Sequence, residues 1–410
     1  MDCSNTQTQT PPSYCAQVVG PPPCYSCKLL FGEQLIQETR SLQGLARGTF
    51  KKRCGGIVAA LTEQEDDATI PTYGRQSSVN GAVALDNREG TTEVTVKLLG
   101  RMYLHIPVFK SCTVTLVDQR QTLWSCLSIA GTSSVCPETM PFSFVLPSAF
   151  KDGNTSYPLP PSFDLACLGP SGLKAVCNYT LEIKAVGRGI GRWTKVKKMV
   201  IPMEFMPRSR PASFSPVPDV QLIRCALKTL PGEWYESLTT IPSRSPKTLP
   251  PVSALIFIPS IRAFAYSETI PFYVQLSGPR CSLSSLSGHS PTSPTPPTVR
   301  VSLLRQCTLL VGDQKDWQNH TLSQGVIRAV SPPVCNPAGP WQDSLDWQGT
   351  IQVPKDLRNP SFFAGRLSVK DFLVLSVAPA EPVKAAFGRH QLVVPVKIVT
   401  DSWTVGEPAT

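Results

Sequence analysis

Residues 175–184 have the sequence AVCNYTLEIK, in which two kinds of side chain alternate. Every odd position is apolar, at Ala175, Cys177, Tyr179, Leu181 and Ile183. The even positions are mostly polar and include Asn178, Thr180, Glu182 and Lys184. A period of two over this length is typical of a β-strand with one buried face, because successive side chains of a strand point to opposite sides. We therefore predict a strand here, with its odd-numbered residues in a core.

The same alternation recurs along the chain. Residues 92–98 place Val94, Val96 and Leu98 on one face, and residues 391–400 do so with Leu392, Val394, Val396 and Ile398. Turn-forming residues separate such runs, as in Asp152-Gly153-Asn154 and Gly278-Pro279. No long amphipathic helix is convincing, and residues 35–50 are the nearest candidate. Many short strands between turns predict β-sandwiches rather than alternating strands and helices.

Composition points to the same class of fold. The chain has 410 residues, of which 41 are proline and only 17% are charged. High proline and abundant Val, Thr and Ser disfavour long helices and suit strands joined by turns. The length suits two domains of common size. We predict an all-β protein of two tandem immunoglobulin-like β-sandwich domains, preceded by a disordered N-terminal tail.

Changes of composition predict the domain boundaries. Residues 1–27 hold one charged residue and many Pro, Thr, Gln and Ser, so that they cannot bury a core. We place the first domain at residues 28–206, a proline-rich linker at 207–213 and the second domain at 214–404. The second domain contains a low-complexity insert at 279–298, which predicts a mobile surface loop.

Basic residues are concentrated in two clusters, and the formal net charge is +10. The candidate contact residues are Lys51, Lys52 and Arg53 in the first cluster and Lys195, Lys197, Lys198, Arg208 and Arg210 in the second. Such clusters suit phosphates, acidic cytoplasmic tails of membrane proteins or an anionic lipid surface. The plainer alternative is that they are solvated strand edges.

Two short proline motifs stand in the tail. Residues 11–14 are PPSY and residues 22–25 are PPCY, and both fit the pattern PPxY. Two prolines preset a polyproline II helix for the aromatic groove of a WW domain, and the Tyr two places on fills a second pocket. The predicted WW-binding residues are Pro11, Pro12, Tyr14, Pro22, Pro23 and Tyr25. Chance matches in a proline-rich chain are the alternative.

Residues that commonly form catalytic or metal sites are few or scattered. The 14 Cys offer one weak CxxC, at Cys24 and Cys27, and no second pair at zinc-ligand spacing, and the chain has only 4 His. Neither a GxSxG nucleophile elbow nor a phosphate-binding P-loop occurs. We therefore predict no catalytic residues, no metal and no cofactor, and a protein that is not an enzyme.

The start of the chain, MDCSNTQTQTPPSY, has neither a basic leader nor an apolar run. No apolar run elsewhere is long enough to span a bilayer. We therefore expect a cytoplasmic protein whose thiols are reduced.

The insert offers candidate regulatory positions. Ser290, Ser293 and Thr295 each precede a proline, which is the pattern that proline-directed kinases require. An unmodified loop is the alternative at these candidate phosphorylation sites.

A series of segments gives a family resemblance. In the first half these are IPTYGR at residues 70–75, VNGAV at 79–83, VTVKLLGR at 94–101, PFSFVLP at 141–147 and LPPSF at 159–163. In the second half they are IPFYVQL at 270–276, VRVSLLR at 299–305, LDWQG at 345–349, FLVL at 372–375 and residues 390–403. Each segment alone is a generic strand, but their order and the pairing of PFSFVLP with LPPSF are specific. The chain resembles the fungal arrestin-like proteins of the α-arrestin family, the arrestin-related trafficking adaptors.

The resemblance implies an arrestin fold, in which two sandwiches are hinged end to end. It also implies a non-enzymatic adaptor that links membrane transporters or receptors to a HECT-type ubiquitin ligase for ubiquitination and endocytosis. The PPxY residues of the tail would hold the WW domains of the ligase, although in the best-known members these motifs follow the second domain. The alternatives are a signalling scaffold or a vesicle-coat subunit that shares the fold and uses no ligase.

The expected partners follow from this interpretation. They are a WW-domain ubiquitin ligase and the cytoplasmic tails of membrane proteins, with an anionic lipid surface as a further candidate. We expect no nucleic-acid partner, a monomer, and recruitment from the cytoplasm to the plasma membrane or endosomes.

Overall fold

The structure is a computed structural model of the protein. It describes residues 36–39, 48–107, 111–126, 135–165, 172–188, 194–213, 223–286, 298–330, 342–379 and 386–403. These parts of the chain are all-β with several sheets, as predicted, and residues 34–410 form one compact unit. The predicted tail at residues 1–27 lies outside the described residues.

The first part of the chain contains strands β1 to β14. They are β1 (Ile36–Thr39), β2 (Gly48–Cys54), β3 (Ile57–Gln64), β4 (Thr72–Tyr73), β5 (Ser78–Leu85), β6 (Thr91–His105), β7 (Ser111–Ser125), β8 (Thr139–Val145), β9 (Ala149–Asp152), β10 (Thr155–Pro158), β11 (Phe163–Asp164), β12 (Lys174–Arg188), β13 (Thr194–Phe205) and β14 (Arg208–Pro211).

The second part contains two short helices and the remaining strands. In order they are α1 (Ile223–Thr229), a 3₁₀ turn (Pro231–Glu233), β15 (Trp234–Ile241), β16 (Val252–Pro259), β17 (Ala263–Ala265), β18 (Thr269–Pro279), α2 (Arg280–Leu286), β19 (Thr298–Val311), β20 (Gln314–Gln324), β21 (Val326–Val330), β22 (Gln342–Gln352), β23 (Phe362–Ala364), β24 (Leu367–Ala378) and β25 (His390–Val399).

In the first half of the molecule, two sheets face one core. The four-stranded sheet has the order β2-β3-β5-β8, and the six-stranded sheet has the order β4-β13-β12-β6-β7 with β11 paired to β12. These pairings are antiparallel except for β4 with β13. Ile57 and Val83 of the first sheet and Leu98 and Ile201 of the second are buried in one apolar cluster. This half is therefore β-sandwich-like.

The second half repeats the arrangement. A five-stranded sheet has the order β15-β16-β18-β22-β21, and a six-stranded sheet has the order β17-β25-β24-β19-β20 with β23 paired to β24. Ile256 and Phe272 of the first sheet share a buried cluster with Leu303 and Ile398 of the second. The core of this half again lies between two sheets.

The predicted alternation is confirmed in the three strands that the sequence analysis used. In β12 the predicted apolar face, Ala175, Cys177, Tyr179, Leu181 and Ile183, is buried. In β6 the predicted face, Val94, Val96 and Leu98, is fully buried. In β25 the buried residues include Val394, Val396 and Ile398, while Leu392 is partly buried against the same core.

Two glycines leave room for an aromatic ring from a neighbouring strand. Gly81 of β5 lies opposite Phe142 of β8, and a Cβ at Gly81 would stand 2.4 Å from the carbonyl oxygen of Ala60 and 2.8 Å from Cζ of Phe142. Gly349 of β22 lies opposite Phe272 of β18, where a Cβ would stand 2.6 Å from Cζ of that ring. Both glycines fall in segments that support the family resemblance, and close packing explains them physically.

The two halves share apolar packing. Cys307, Leu309 and Val369 of the second half belong to the same buried cluster as the core of the first half. The rings of Phe163 and Phe362 meet edge to face, with their centroids 5.4 Å apart. The core of the first half therefore continues into the second.

Polar contacts also join the halves. Asn359 Nδ2 donates to the carbonyl oxygen of Ser162 at 2.6 Å. The Arg366 guanidinium donates to both carboxylate oxygens of Asp152, at 2.5 and 3.0 Å. These contacts fix the relative position of the halves more strictly than apolar packing alone, because hydrogen bonds are directional.

A buried ion pair lies next to this contact. Arg305 Nε and Nη2 donate to the two carboxylate oxygens of Asp371 at 2.8 and 2.9 Å. Ser361 Oγ donates to Asp371 Oδ2 at 2.7 Å, and Arg305 Nη1 donates to the carbonyl oxygen of Asn359 at 2.8 Å. The pair is therefore connected to the residue that bridges the halves.

The predicted linker contains a strand. Residues 208–211 form β14, which pairs antiparallel with β1, and the register joins Gln37 to Arg210. The same residues contact the end of the second half, where Thr400 Oγ1 accepts from the Ser209 N–H at 2.8 Å. These residues are extended, and they are held by hydrogen bonds on both sides.

The predicted loop at 279–298 is partly wrong. Gly278 and Pro279 continue β18 instead of turning, and α2 follows at once. The helix forms because Leu283 and Leu286 bury their side chains and Ser282 Oγ donates to the carbonyl oxygen of Pro250 at 2.7 Å. Residues 287–297 lie outside the described residues.

The helix candidate at residues 35–50 is also wrong where the structure describes it. Residues 36–39 and 48–50 are in strands, because each pairs with a neighbouring strand of the fold. Among the described helices, none combines the length and the apolar character needed to cross a membrane.

Candidate functional site

The two predicted basic clusters meet at the edges of two sheets. Strand β2 is an edge strand of the four-stranded sheet. Strand β13 pairs with β12 on one side and with β4, on the other side, through Glu204 and Phe205 alone. Lys52 Nζ on β2 donates to the carbonyl oxygen of Val200 on β13 at 3.0 Å. One side chain thus bridges the two edges, and we call the surface around it the basic edge.

The turn between β2 and β3 brings further charges to the basic edge. Gly55 and Gly56 have φ of 59° and 79°, which suits the tight two-residue hairpin that closes with the pair Cys54 and Ile57. A Cβ at Gly56 would stand 3.0 Å from Lys197 Nζ, so that the glycine leaves room for this ammonium group.

Asp86 and Glu182 are the carboxylates that pair with these cations. Arg53 Nη2 lies 2.9 Å from Asp86 Oδ2, and Lys198 Nζ lies 2.9 Å from Glu182 Oε2. Both pairs are well exposed to solvent, so that each contributes little to stability. Among the described residues, the cations of the basic edge therefore outnumber the paired carboxylates, so that the charge of this described surface is positive; these cations are Lys51, Lys52, Arg53, Lys195, Lys197 and Lys198.

Neighbouring strands add to this charge. The register of β12 and β13 places Lys184 directly opposite Lys198, and both side chains are exposed. Like charges that face each other across a sheet repel, which costs stability. This cost is reduced when an anion binds between them.

Apolar side chains also reach the surface of β13. Val196 is 52% exposed and Val200 is 40% exposed, on the same side of the strand as Lys198. An edge strand with exposed valines and lysines can accept an extended acidic segment, which would add a strand and pair its carboxylates with the cations. The arrangement is suited to binding an acidic chain.

Arg208 and Arg210 do not belong to the basic edge, and their prediction as anion contacts was wrong. The Arg208 guanidinium pairs with Asp401, with Nε donating to Oδ2 at 2.9 Å and Nη2 donating to Oδ1. Arg210 is only 4% exposed, and its Nε donates to Gln37 Oε1 at 3.1 Å. Both arginines join strands of the fold, because β14 runs between β1 and the end of the second half.

The other predicted sites fall outside the described residues. These are the WW-binding residues Pro11, Pro12, Tyr14, Pro22, Pro23 and Tyr25 and the candidate phosphorylation sites Ser290, Ser293 and Thr295. They remain predictions from sequence.

Sequence reasoning missed the residues that organise the basic edge. Gly56 and Asp86 position Lys197 and Arg53, yet neither belongs to a basic cluster. The pair Gly55-Gly56 between two alternating runs is a hairpin signal that would have brought residues 51–53 beside a turn. No signal in the sequence indicates that Asp86 is near.

Buried thiols in the described residues are structural. Burial raises the pKa of the Cys177 thiol far above its ordinary value, and it raises the pKa of Cys307 to about 11. Thiols with raised pKa are poor nucleophiles and poor metal ligands at neutral pH. Within the described ranges, no group of three or more His, Cys, Asp or Glu residues could hold a metal ion.

Comparisons with known proteins add no family. No model of a known protein family matches the chain, and a search of curated proteins finds no significant relative.

Proposed function

We propose that the protein is an adaptor of the arrestin type, with two tandem sandwiches that bind an acidic segment of a membrane protein and a tail that recruits a WW-domain ubiquitin ligase. Two β-sandwich-like halves with a shared core support the arrestin fold. The family resemblance of the sequence supports the adaptor role.

The proposal for cargo rests on one observation, which is the meeting of two sequence-distant basic clusters at the edges of β2 and β13. The Lys52 Nζ bond to the Val200 carbonyl joins residues 148 positions apart. A cation surface beside open strand edges offers backbone hydrogen bonds and charge pairing to the same ligand. Cytoplasmic tails that are acidic and extended provide both.

The proposal for the ligase rests on the two PPxY motifs. Two weak sites on one tether raise the apparent affinity by roughly 10²-fold when a ligase with several WW domains engages both. The adaptor would supply proximity, and ubiquitin transfer would belong to the ligase. The adaptor would then need no catalytic residue of its own.

A peptide-binding measurement tests the cargo surface. The probe is a fluorescein-labelled peptide of alternating glutamate and valine, measured by fluorescence anisotropy with the full chain. Replacing Lys195, Lys197 and Lys198 by glutamine should weaken binding by about tenfold, since each lost charge pair at a partly exposed site is worth about 0.5 kcal/mol. The control replaces the exposed Lys315, Lys355 and Lys370 by glutamine and should leave affinity within about twofold.

Equal losses in the two triple variants would refute the basic edge as the binding site. If the wild-type protein bound phosphatidylserine vesicles but not the peptide, membrane binding would replace cargo binding as the proposed role of this surface. Neither result would count against the fold.

A pull-down tests the ligase arm. Tyr14→Ala with Tyr25→Ala should abolish capture by immobilised WW domains, because the tyrosine pocket would stay empty. The matched control changes the variable positions, Ser13→Ala with Cys24→Ala, and should be captured like the wild type. Unchanged capture of the tyrosine variant would leave a scaffold without a ligase as the remaining interpretation.

A further inference from the structure

A groove of about 670 Å³ opens where the two halves meet. One wall comes from the segment between β3 and β4, of which residues 65–70 line the groove. The other wall comes from Met206 and Arg208 and from Tyr266, Thr400 and Asp401 of the second half. Its volume is in the range of about 300–1,000 Å³ that is usual for ligand sites.

Carboxylates dominate the lining of this groove. They are Glu63, Glu65, Asp66, Asp67, Glu204 and Asp401. Among the described residues of the lining, the one cation is Arg208, and its guanidinium is already paired with Asp401. The groove therefore keeps a negative charge, in a protein whose formal net charge is +10. An anionic ligand is excluded by repulsion.

A buried hydroxyl points to a ligand independently of these charges. Tyr73 lines the groove and is 1% exposed, and its Oη has no hydrogen-bond partner among the described residues. Tyr266 lines the opposite wall, and its Oη also lacks a partner among them. Buried hydroxyls of tyrosine usually find a partner, because an unsatisfied one is costly.

The electrostatics around Tyr73 show which partner fits. Burial, and secondly the negative charge of Glu63, raise the pKa of the Tyr73 hydroxyl. The hydroxyl therefore stays protonated, and its lone pairs remain available as acceptors beside a carboxylate. A ligand with several N–H donors and a positive charge satisfies both groups at once.

We propose that this acidic groove binds an arginine-bearing segment of a partner protein. The guanidinium presents five donors in a planar fork, which matches acceptors spread over two walls, whereas an ammonium is a point charge. It would donate to the Tyr73 hydroxyl and to the carboxylates of the segment 65–71. The site is separate from the cargo surface of the proposed function, and a partner would contact both halves of the fold there.

The probe is a fluorescein-labelled hexapeptide of alternating glycine and arginine, measured by fluorescence anisotropy with the full chain. Wild-type protein should bind this peptide more tightly than its lysine counterpart and much more tightly than its serine counterpart. Binding should weaken as salt rises from about 50 to about 300 mM, because exposed charges are screened.

Two variants test the groove directly. Glu65→Gln with Asp67→Asn removes two charges, and Asn tolerates the positive φ of 60° at position 67. This variant should lose affinity for the arginine peptide by about fivefold. Tyr73→Phe removes only the hydroxyl and should weaken binding by roughly fivefold. Glu138→Gln with Asp313→Asn makes the same charge change at exposed positions outside the groove and should stay within about twofold.

A second measurement separates groove binding from folding. The groove variants should bind the glutamate–valine peptide as the wild type does, because the basic edge is unchanged. The proposal would be overturned if the groove variants bound the arginine peptide as tightly as the wild type does. It would also be overturned if a lysine peptide or spermine displaced the labelled arginine peptide as well as the unlabelled arginine peptide does.

Discussion

The buried pair of Arg305 and Asp371 should be among the most sensitive positions for stability. The side chains are 4% and 0% exposed, and Asp371 accepts two hydrogen bonds from Arg305 and one from Ser361. Asp371→Ala would leave the guanidinium buried opposite an empty space. Burial lowers the pKa of the Arg305 guanidinium, but the charge and hydrogen bonds of Asp371 outweigh this and raise it overall, so that it stays charged.

The magnitude follows from these contacts. Removing one partner of a buried pair typically costs about 3–5 kcal/mol, since the remaining charge has no compensation. The Ser361 hydroxyl also loses its acceptor, which adds about 1 kcal/mol. We therefore expect Asp371→Ala to lower the free energy of unfolding by about 4–6 kcal/mol, a large part of the roughly 5–15 kcal/mol of a typical domain.

Urea unfolding followed by tryptophan fluorescence measures this loss by linear extrapolation. The control is Asp118→Ala, which breaks the pair with Lys97 at 2.8 Å on an exposed face and should cost less than about 1 kcal/mol. The double variant Arg305→Met with Asp371→Leu removes both charges and should cost less than Asp371→Ala alone. A double variant that is as unstable as the single one, or a cost of Asp371→Ala equal to that of the control, would refute this reasoning.

Three further predictions concern packing, burial and reactivity. Gly81→Ala should lower the free energy of unfolding by about 1–3 kcal/mol, because its Cβ would overlap a carbonyl oxygen and an aromatic ring. The control Gly232→Ala, at an open position, should change the free energy of unfolding by less than about 0.5 kcal/mol, and urea unfolding measures both variants. Tyr73→Phe should keep or raise stability by up to about 1 kcal/mol, since it removes a buried hydroxyl without a partner among the described residues, and a clear loss in a thermal melt would contradict this. Burial raises the pKa of the Cys307 thiol from 9.0 to about 11, so that Cys307 should react with iodoacetamide at pH 8 at least roughly 100-fold more slowly than the exposed Cys281. The thiolate fraction of Cys307 should increase only as the pH approaches 11. Equal labelling of the two thiols by mass spectrometry would be inconsistent with the fold.

Local patterns determined much of the secondary structure. The buried faces of β6, β12 and β25 could be predicted from the sequence because the alternation of side chains in a strand is a property of neighbouring residues. The hairpin at Gly153, which has a φ of 61°, was likewise visible in the residues themselves. The helix α2 was not visible, because its seven residues are rich in serine and depend on burial against β18 and β22.

Charge clusters were visible in the sequence, but their roles were not. Lys52 and Arg208 belong to similar basic segments, yet Lys52 reaches the exposed edge of β13 while Arg208 pairs with Asp401, which is 193 positions away. The acidic groove likewise combines residues 63–67 with residues of the other half.

The sequence by itself therefore determined the class of fold, the strand faces and the tail motifs, since each depends on residues that are adjacent in the chain. The tertiary structure alone decided which cations stay exposed and which hydroxyls stay without a partner among the described residues. These outcomes depend on sheet order and register, which set the distances between residues that are far apart in the chain.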